Sequence, residues 1–216
     1  MSKDFHNGTP VVNFRGMEGE QEAETRTRTR TRRAILDAAV AVLSKNSGAS
    51  LSDVAAAAGV GRTTIHRYYP ERSDLLAAIS RDSLDKIDTA TLRARLDEGT
   101  ATEALDRLCQ EYFELGEILT LLFNEPALMQ GPEWEVETES DRTVLRLVER
   151  GHAEGSIDPE MPPEWVQNLL WGLLYIAWEH ARASGAPRHT ALALCLRSLA
   201  KSIAPPAQPG SSRVRV

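Results

Sequence analysis

The side chains with the clearest chemistry lie in the segment GRTTIHRYYPERSDLL, at residues 61–76. An arginine guanidinium can donate two hydrogen bonds to O6 and N7 of a guanine in the major groove, and a threonine can offer its methyl group to thymine. Histidine and tyrosine can reach base edges or phosphates. The segment therefore predicts a helix that reads DNA, with base contacts from Arg62, Thr63, His66, Arg67 and Tyr68.

The residues before this segment predict the first half of a helix-turn-helix. Ser50-Leu-Ser-Asp53 is a capping box, which starts a helix. Ala55 is small where two helices would touch, and Gly59 stands where the turn needs a residue that tolerates positive φ. The alternative is an alanine-rich helix followed by an unrelated helix, and the basic, polar segment that follows argues against it.

A second set of side chains is suited to phosphates, which fix the docking register without reading sequence. Residues 25–33 hold five arginines in nine residues, and they could follow the DNA backbone or enter the minor groove. The alternative is a solvated extension of the first helix. The predicted phosphate contacts are Ser50, Thr64, Arg72, Arg28, Arg30 and Arg32.

Charge is divided unevenly along the 216 residues, although the net charge is −6. Residues 25–81 carry ten Lys and Arg against four Asp and Glu, whereas residues 82–204 carry eleven against twenty-two. The first part is thus +6 and the second −11, which predicts a nucleic-acid partner for the first part only. We expect disordered tails at residues 1–24 and 205–216, a DNA-binding domain at 25–81 and a ligand-binding and dimerisation domain at 82–204.

Apolar residues recur at helical spacing nearly throughout, and no alternating run is long enough for a sheet. The sequence therefore predicts an all-α fold of about nine helices. Among them we expect helices at about residues 31–47, 105–119, 133–155, 163–185 and 188–203. Cys109 and Cys195 lie in apolar helical patterns, which favours buried thiols over a disulfide.

Two segments of this chain, AILDAAVAVLSKNSGASLSDVAAAAGV and GRTTIHRYYPERSDLLAAI, resemble the TetR family of bacterial transcriptional regulators, most strongly over residues 35–79. The resemblance implies an all-helical homodimer with a DNA-binding head of helices 1–3 and a larger body that binds a small molecule. In the family, ligand binding usually moves the two heads apart and releases the operator. Repression is the common outcome.

The penultimate helix bears on dimerisation, because WVQNLLWGLLYIAWEHARA is apolar nearly all round and both faces need cover. One face can serve the core of the subunit and the other a second copy, in a two-fold four-helix interface. The alternative is a monomer that buries both faces itself. A two-fold dimer implies a palindromic operator. The predicted interface residues are Leu170, Leu174, Trp178, Ala191, Leu194, Cys195 and Ser198.

Aromatic and sulfur-containing side chains of the C-terminal part could line a ligand cavity, since aromatic walls suit drug-sized pockets. The candidates are Tyr112, Phe113, Met129, Trp134, Trp171 and Tyr175. Ordinary core packing is the alternative for each of them. The acidic charge of this part favours a cationic or neutral ligand.

Other functions find less support in the sequence. No HExxH, CxxC, GxSxG or glycine-rich phosphate loop is present, so we expect neither an enzyme nor a metal or other cofactor. A helical adaptor that binds another protein through its aromatic helix is a further alternative. No apolar run reaches the length of a membrane span and no signal pattern opens the chain, so we expect a cytoplasmic protein without a membrane partner.

Overall fold

The computed structural model describes the backbone of residues 14–206 and the side chains of residues 24–206. In that range the chain forms nine α-helices, two short 3₁₀ helices and no β-strand, which confirms the predicted fold class. The α-helices are α1 (Phe14–Leu43), α2 (Leu51–Ala57), α3 (Arg62–Tyr68), α4 (Arg72–Arg93), α5 (Ala101–Phe113), α6 (Gly116–Asn124), α7 (Glu139–Glu154), α8 (Pro163–Ser184) and α9 (Arg188–Ile203). The 3₁₀ helices, Pro126–Met129 and Pro132–Trp134, lie between α6 and α7.

Helix α1 begins much earlier than the sequence predicted, at Phe14 rather than near residue 31. The disorder predicted for residues 1–24 is therefore corrected over residues 14–24, and residues 1–13 lie outside the described part. Residues 20–47 contain neither glycine nor proline, so nothing in them interrupts a helix. At the other end of the chain, α9 stops before Pro205-Pro206, and residues 207–216 of the second predicted tail lie outside the described part.

The first three helices pack around a small apolar core in which Ile35, Val54 and Ile65 are fully or almost fully buried. Gly59 has φ +66° in the turn between α2 and α3, a conformation that side chains with a Cβ rarely adopt. The N–H of Val60 donates to the carbonyl of Ala55 at 2.9 Å and closes that turn. The predicted helix-turn-helix geometry is thus confirmed.

Helix α4 runs from this head into the body of the molecule. At its start, the Arg72 guanidinium donates to the backbone carbonyls of Ala49 and Ser47, in the loop before α2. Further along, an Asp82 oxygen accepts a hydrogen bond from Arg33 of α1 at 2.6 Å. The predicted domain boundary between residues 81 and 82 falls inside α4, so head and body share one helix.

The body departs from the predicted helices in two places. The stripe predicted as one helix over residues 105–119 is divided into α5 and α6, which meet at Glu114 and Leu115. The helix expected from about residue 133 begins at Glu139, because Thr138 caps it and accepts from the N–H of Asp141 at 3.1 Å. The 3₁₀ helix Pro132–Trp134 occupies the first part of the segment that the prediction had assigned to this helix.

Both cysteines of the chain are buried free thiols, as the sequence predicted. Cys109 lies on α5 and Cys195 on α9, and these two helices pack against each other in the core of the body. Among the residues that the structure describes, no helix is both long enough and apolar enough to cross a membrane.

Candidate nucleic-acid interface and ligand cavity

Helix α3 is anchored in the head by Ile65 and exposes most of its polar side chains. Ile65 is completely buried in the head core. Four of the predicted base-contacting side chains, Arg62, Thr63, His66 and Arg67, are exposed. A short helix held by a central apolar residue can therefore present its polar side chains to a major groove.

His66 and Tyr68 are constrained by local contacts. Nδ1 of His66 lies 3.2 Å from the carbonyl oxygen of Pro70, so a proton on Nδ1 is donated there and Nε2 is then an acceptor. Tyr68 is only half exposed and packs against the head core, with the Arg67 guanidinium 5.6 Å from its ring centre. The structure thus places Tyr68 at the side of α3 rather than at its outermost surface.

A cleft of about 740 Å³ separates α3 from the helical extension of α1. Its walls include Arg28 and Thr31 of α1 and Thr64, Arg67 and Tyr68 of α3. Two of the predicted phosphate contacts, Arg28 and Thr64, therefore face the same cleft. An Arg28 nitrogen also lies 2.6 Å from a Glu24 oxygen, in an ion pair exposed to solvent.

The helical form of the arginine-rich stretch limits what it can reach. Arg30 and Arg32 are exposed on α1, as a phosphate contact requires. A helix is about 10–12 Å across with its side chains, whereas the minor groove of B-DNA is about 6 Å wide. In this conformation the arginines can approach phosphates beside the groove, and the helix cannot enter it.

Ser50 and Arg72, also predicted phosphate contacts, have partners within the chain. The Ser50 hydroxyl donates to Asp53 at 2.7 Å, and the Ser50 N–H donates to the same carboxylate at 2.8 Å. These two hydrogen bonds lower the pKa of Asp53 and keep it charged. Arg72 is only partly exposed and is held by two backbone carbonyls. Arg72 thus joins α4 to the head, and its phosphate contact stays a prediction.

A second cavity of about 380 Å³ lies in the body. It is enclosed by α4, α6, the 3₁₀ segment, the start of α7 and α8. Three of the predicted pocket residues, Met129, Trp134 and Trp171, line it. Its other lining residues were not predicted from the sequence, and they are Leu84, Ile87, Asp88, Leu119, Leu122, Phe123, Glu133, Val136, Thr138, Asp141, Gln167 and Asn168.

The other three predicted pocket residues lie outside this cavity, so the prediction is corrected for them. Tyr112 is buried behind the wall, with its ring stacked on Trp171 at 4.4 Å between ring centres and its hydroxyl 2.7 Å from that of Thr91. Phe113 packs edge-on against Trp178, at 5.5 Å between ring centres. Tyr175 stacks on the outer side of the cavity against Phe123, at 4.5 Å. Helical spacing alone did not reveal which side of the wall each ring occupies.

Negative charge is concentrated at the cavity. Asp88, Glu133 and Asp141 line it, and no Lys, Arg or His is among its lining residues. Within the described residues their hydrogen-bond partners are neutral: Ser140 for Asp88, Ser80 for Glu133, and Thr138 with Gln167 for Asp141. Carboxylates with neutral hydrogen-bond partners beside aromatic rings are a favourable environment for a flat cationic ligand, although Glu133 is also acted on electrostatically by a nearby arginine, Arg81.

The two faces of α8 are opposite to the prediction. Leu170 and Leu174 are completely buried within the subunit, and Trp178 packs on Gly116, so these residues cannot form a surface for a partner. Ala191 and Cys195 of α9 are also buried. Of the predicted interface, only Leu194 and Ser198 are exposed.

The exposed face of α8 is apolar. Trp165 and Ile176 are each 61% exposed, and Leu169, Gly172 and Leu173 lie between them along a shallow groove. Burying these side chains would remove a large apolar area from water, so this face favours association with another surface.

The known proteins that this chain is similar to are bacterial transcriptional regulators. The family model of the tetR family of bacterial regulatory proteins matches residues 35–79. The chain is 40% identical over 172 residues to the HTH-type transcriptional repressor LfrR of Mycolicibacterium smegmatis, covering 79% of this chain and 89% of that protein. It is 26% identical over 165 residues to the HTH-type transcriptional regulator NfxB of Pseudomonas aeruginosa, covering 73% and 88% of the two chains.

A solved structure extends the similarity to the body of the molecule. The TetR-like transcriptional regulator LfrR from Mycobacterium smegmatis, in complex with proflavine, aligns with a TM-score of 0.67 at 38% identity. The alignment covers 81% of this chain and 97% of that one. The similarity therefore includes both the helix-turn-helix head and the helices around the cavity.

Proposed function

Because the chain belongs to the TetR family of bacterial regulatory proteins, we propose that it represses transcription by binding a palindromic operator as a homodimer. A small molecule in the body cavity releases it from DNA. The observation that carries the proposal is the geometry of α3, which buries Ile65 and exposes Arg62, Thr63, His66 and Arg67 together. Operator binding places the protein in the cytoplasm, with the chromosome.

The DNA interface combines α3 with the extension of α1. We assign base contacts to the exposed side chains of α3, since arginine donors match guanine in the major groove. Phosphate contacts come from the cleft between α1 and α3. Arg28 lines this cleft from α1, and Thr64 lines it from α3. Arg30 and Arg32 add positive charge along α1 and strengthen the attraction to the DNA backbone without reading its sequence.

The homodimer forms through the exposed face of α8. Trp165, Leu169, Leu173 and Ile176 make this face apolar, and Gly172 lets a second helix approach closely. Leu194 and Ser198 of α9 extend the surface. A two-fold axis through this face pairs the same residues of both subunits and sets the two heads at a fixed spacing.

The effector is a flat aromatic cation. The related LfrR has been crystallised with proflavine, which is such a molecule. In this chain, Trp134 and Trp171 line the cavity with aromatic rings, and Asp88, Glu133 and Asp141 line it with negative charge, with no Lys, Arg or His among the lining residues. These features support a ligand of the same class.

The experiment that tests the proposal is a fluorescence anisotropy titration of a labelled duplex from the promoter of the protein's own gene, at several salt concentrations. We expect tight binding that weakens as a power of the salt concentration and is reversed by proflavine. A scrambled duplex is the control. Equal, weak binding to both duplexes would contradict operator recognition at that promoter.

The substitution Asp88→Asn tests the proposed effector class, because it keeps the shape of the side chain and removes its charge. We expect proflavine to bind about fivefold more weakly, since a lost charge contact of this kind costs about 1 kcal/mol. Asp85→Asn is the matched control, because Asp85 lies on the same helix, is exposed and does not line the cavity. Equal affinities of both variants and the native protein in a calorimetric titration would exclude Asp88 from cation binding.

A further inference from the structure

Ser80 is a buried polar residue on α4 whose hydroxyl makes two hydrogen bonds to the wall of the body cavity. It is 3% exposed. Its Oγ accepts from Nε1–H of Trp134 at 2.8 Å and donates to Oε1 of Glu133 at 3.0 Å. One hydroxyl thus satisfies a donor and an acceptor at once, using its single hydrogen and a lone pair.

Both partners of Ser80 are in the short 3₁₀ helix Pro132–Trp134, and both line the cavity. The N–H of Glu133 and the Ser80 hydroxyl lower the pKa of the Glu133 carboxyl, so it is ionised at neutral pH and accepts well. Because Ser80 is otherwise surrounded by packed side chains, the position of this cavity wall is tied to the position of α4.

The same part of α4 is tied to the DNA-binding head. Arg72, two turns before Ser80, donates to the carbonyls of Ala49 and Ser47 beside α2. Asp82, two residues after Ser80, accepts from Arg33 of α1 at 2.6 Å. A displacement of α4 at Ser80 therefore acts directly on the loop before α2 and on α1.

We propose that Ser80 positions the Trp134 wall of the cavity and transmits its displacement to the head through α4. The inference rests on the proposed function, because it concerns how an effector in the cavity alters DNA binding. A cation that pairs with Glu133 competes with Ser80 for the carboxylate, and one that stacks on the face of Trp134 displaces the ring whose N–H donates to Ser80. Effector binding and operator binding are then coupled, because each favours a different arrangement of the hydrogen bonds that Ser80 makes with Glu133 and Trp134.

The first experiment needs neither DNA nor effector. Hydrogen–deuterium exchange of the full-length protein is compared for the native chain, Ser80→Ala and Trp134→Phe. We expect each variant to exchange several-fold faster at residues 126–137, at residues 72–86 and in the loop at residues 44–50. Glu133→Gln retains an acceptor for Ser80 and is expected to keep the native pattern.

Ser83→Ala is the matched control for this experiment. Ser83 is equally buried on α4, but its hydroxyl donates to the carbonyl of Ile79 in its own helix. We expect faster exchange in α4 alone. Faster exchange in Ser80→Ala that stays near the cavity, with native rates at residues 44–50, would overturn the proposal.

The second experiment measures coupling directly, as the ratio of operator Kd with and without saturating proflavine. We expect Ser80→Ala to reduce this ratio about fivefold or more, within the usual range of allosteric coupling, while Ser83→Ala leaves it unchanged. A native ratio in Ser80→Ala overturns the proposal. If the native protein does not bind proflavine in a direct fluorescence titration, the effector class fails and the exchange experiment alone decides on Ser80.

Discussion

Arg62 and Arg67 lie on the exposed side of α3, and neither forms a salt bridge within the described part of the chain. Their guanidinium groups are therefore available to a ligand without breaking an ion pair. At this scale the acidic and basic residues divide into two groups: those already paired, such as Arg33 with Asp37 and Asp82, and those left for a partner. Arg62 and Arg67 belong to the second group, whereas Arg28, a proposed phosphate contact, is already paired with Glu24.

Replacing Arg62 or Arg67 with alanine tests the proposed base contacts. Each substitution should weaken specific operator binding by about 1–3 kcal/mol, the usual value of a good bidentate contact to a base. Thermal stability should be unchanged, because both side chains are exposed. The measurement is an anisotropy titration against the operator and a scrambled duplex.

The control for this prediction is Arg93→Ala, which removes the same charge near the end of α4, away from α3. A comparable loss of specific affinity in this variant would mean that net charge, not position, determines binding. Native specificity in both α3 variants would exclude Arg62 and Arg67 from base recognition.

At the scale of elements, the break between α5 and α6 shapes the body. Gly116 begins α6, and a Cβ added there would lie 2.0 Å from the Trp178 ring. The glycine thus lets α8 pack closely on α6, and the indole is covered on its other side by Arg188, whose guanidinium carbon is 4.6 Å from the ring centre. This contact packs the half-buried Trp178 against the core of the subunit, and the opposite face of α8 is exposed.

Gly116→Ala should destabilise the protein by about 1–3 kcal/mol, the usual cost of an added methyl group in a packed core. The expected result is a lower midpoint of urea unfolding with an unchanged slope. Gly61→Ala is the control, because a Cβ at Gly61 meets nothing within 4 Å and the backbone there has an ordinary φ of −73°. Equal stability of Gly116→Ala and the native protein would show that Trp178 does not require the glycine.

At the scale of the whole molecule, α4 joins a basic head to an acidic body without an intervening linker. The change of charge at residue 82 coincides with the middle of this helix. Because the two parts share this helix, we expect a displacement of α4 beside the cavity to reach the head. In the proposed homodimer, the apolar face of α8 connects two such units.

Ile176→Glu tests the proposed dimer. A charge in the middle of the apolar face should convert a dimer into monomers, because an unpaired carboxylate in an interface is costly to desolvate. Sedimentation velocity measures the change, and operator affinity should fall with it. Leu92→Glu is the control, since Leu92 is also highly exposed but lies on α4. A native protein that sediments as a monomer, or an unchanged dimer in Ile176→Glu, would refute this interface.

Local sequence was sufficient for the features that depend on neighbouring residues. The capping box at Ser50, the positive φ at Gly59 and the bounds of α8 and α9 all follow from residue types a few positions apart. These are short-range effects, in which a side chain satisfies a backbone group of its own turn. Helical periodicity extended the same reasoning to the all-α fold.

The tertiary structure decided which side of each helix meets which neighbour. Leu170 and Leu173 are equivalent apolar residues in the sequence, yet one is buried in the subunit and the other faces outward. Tyr112 and Trp171 could both have lined the cavity, yet Trp171 does so and Tyr112 lies behind it. Periodicity shows that a helix has two apolar faces, but it does not show which face is buried within the subunit. That depends on packing against residues far away in the chain. The carboxylates around the cavity and the contacts of Ser80 became visible for the same reason: they join α4 to a segment more than fifty residues later.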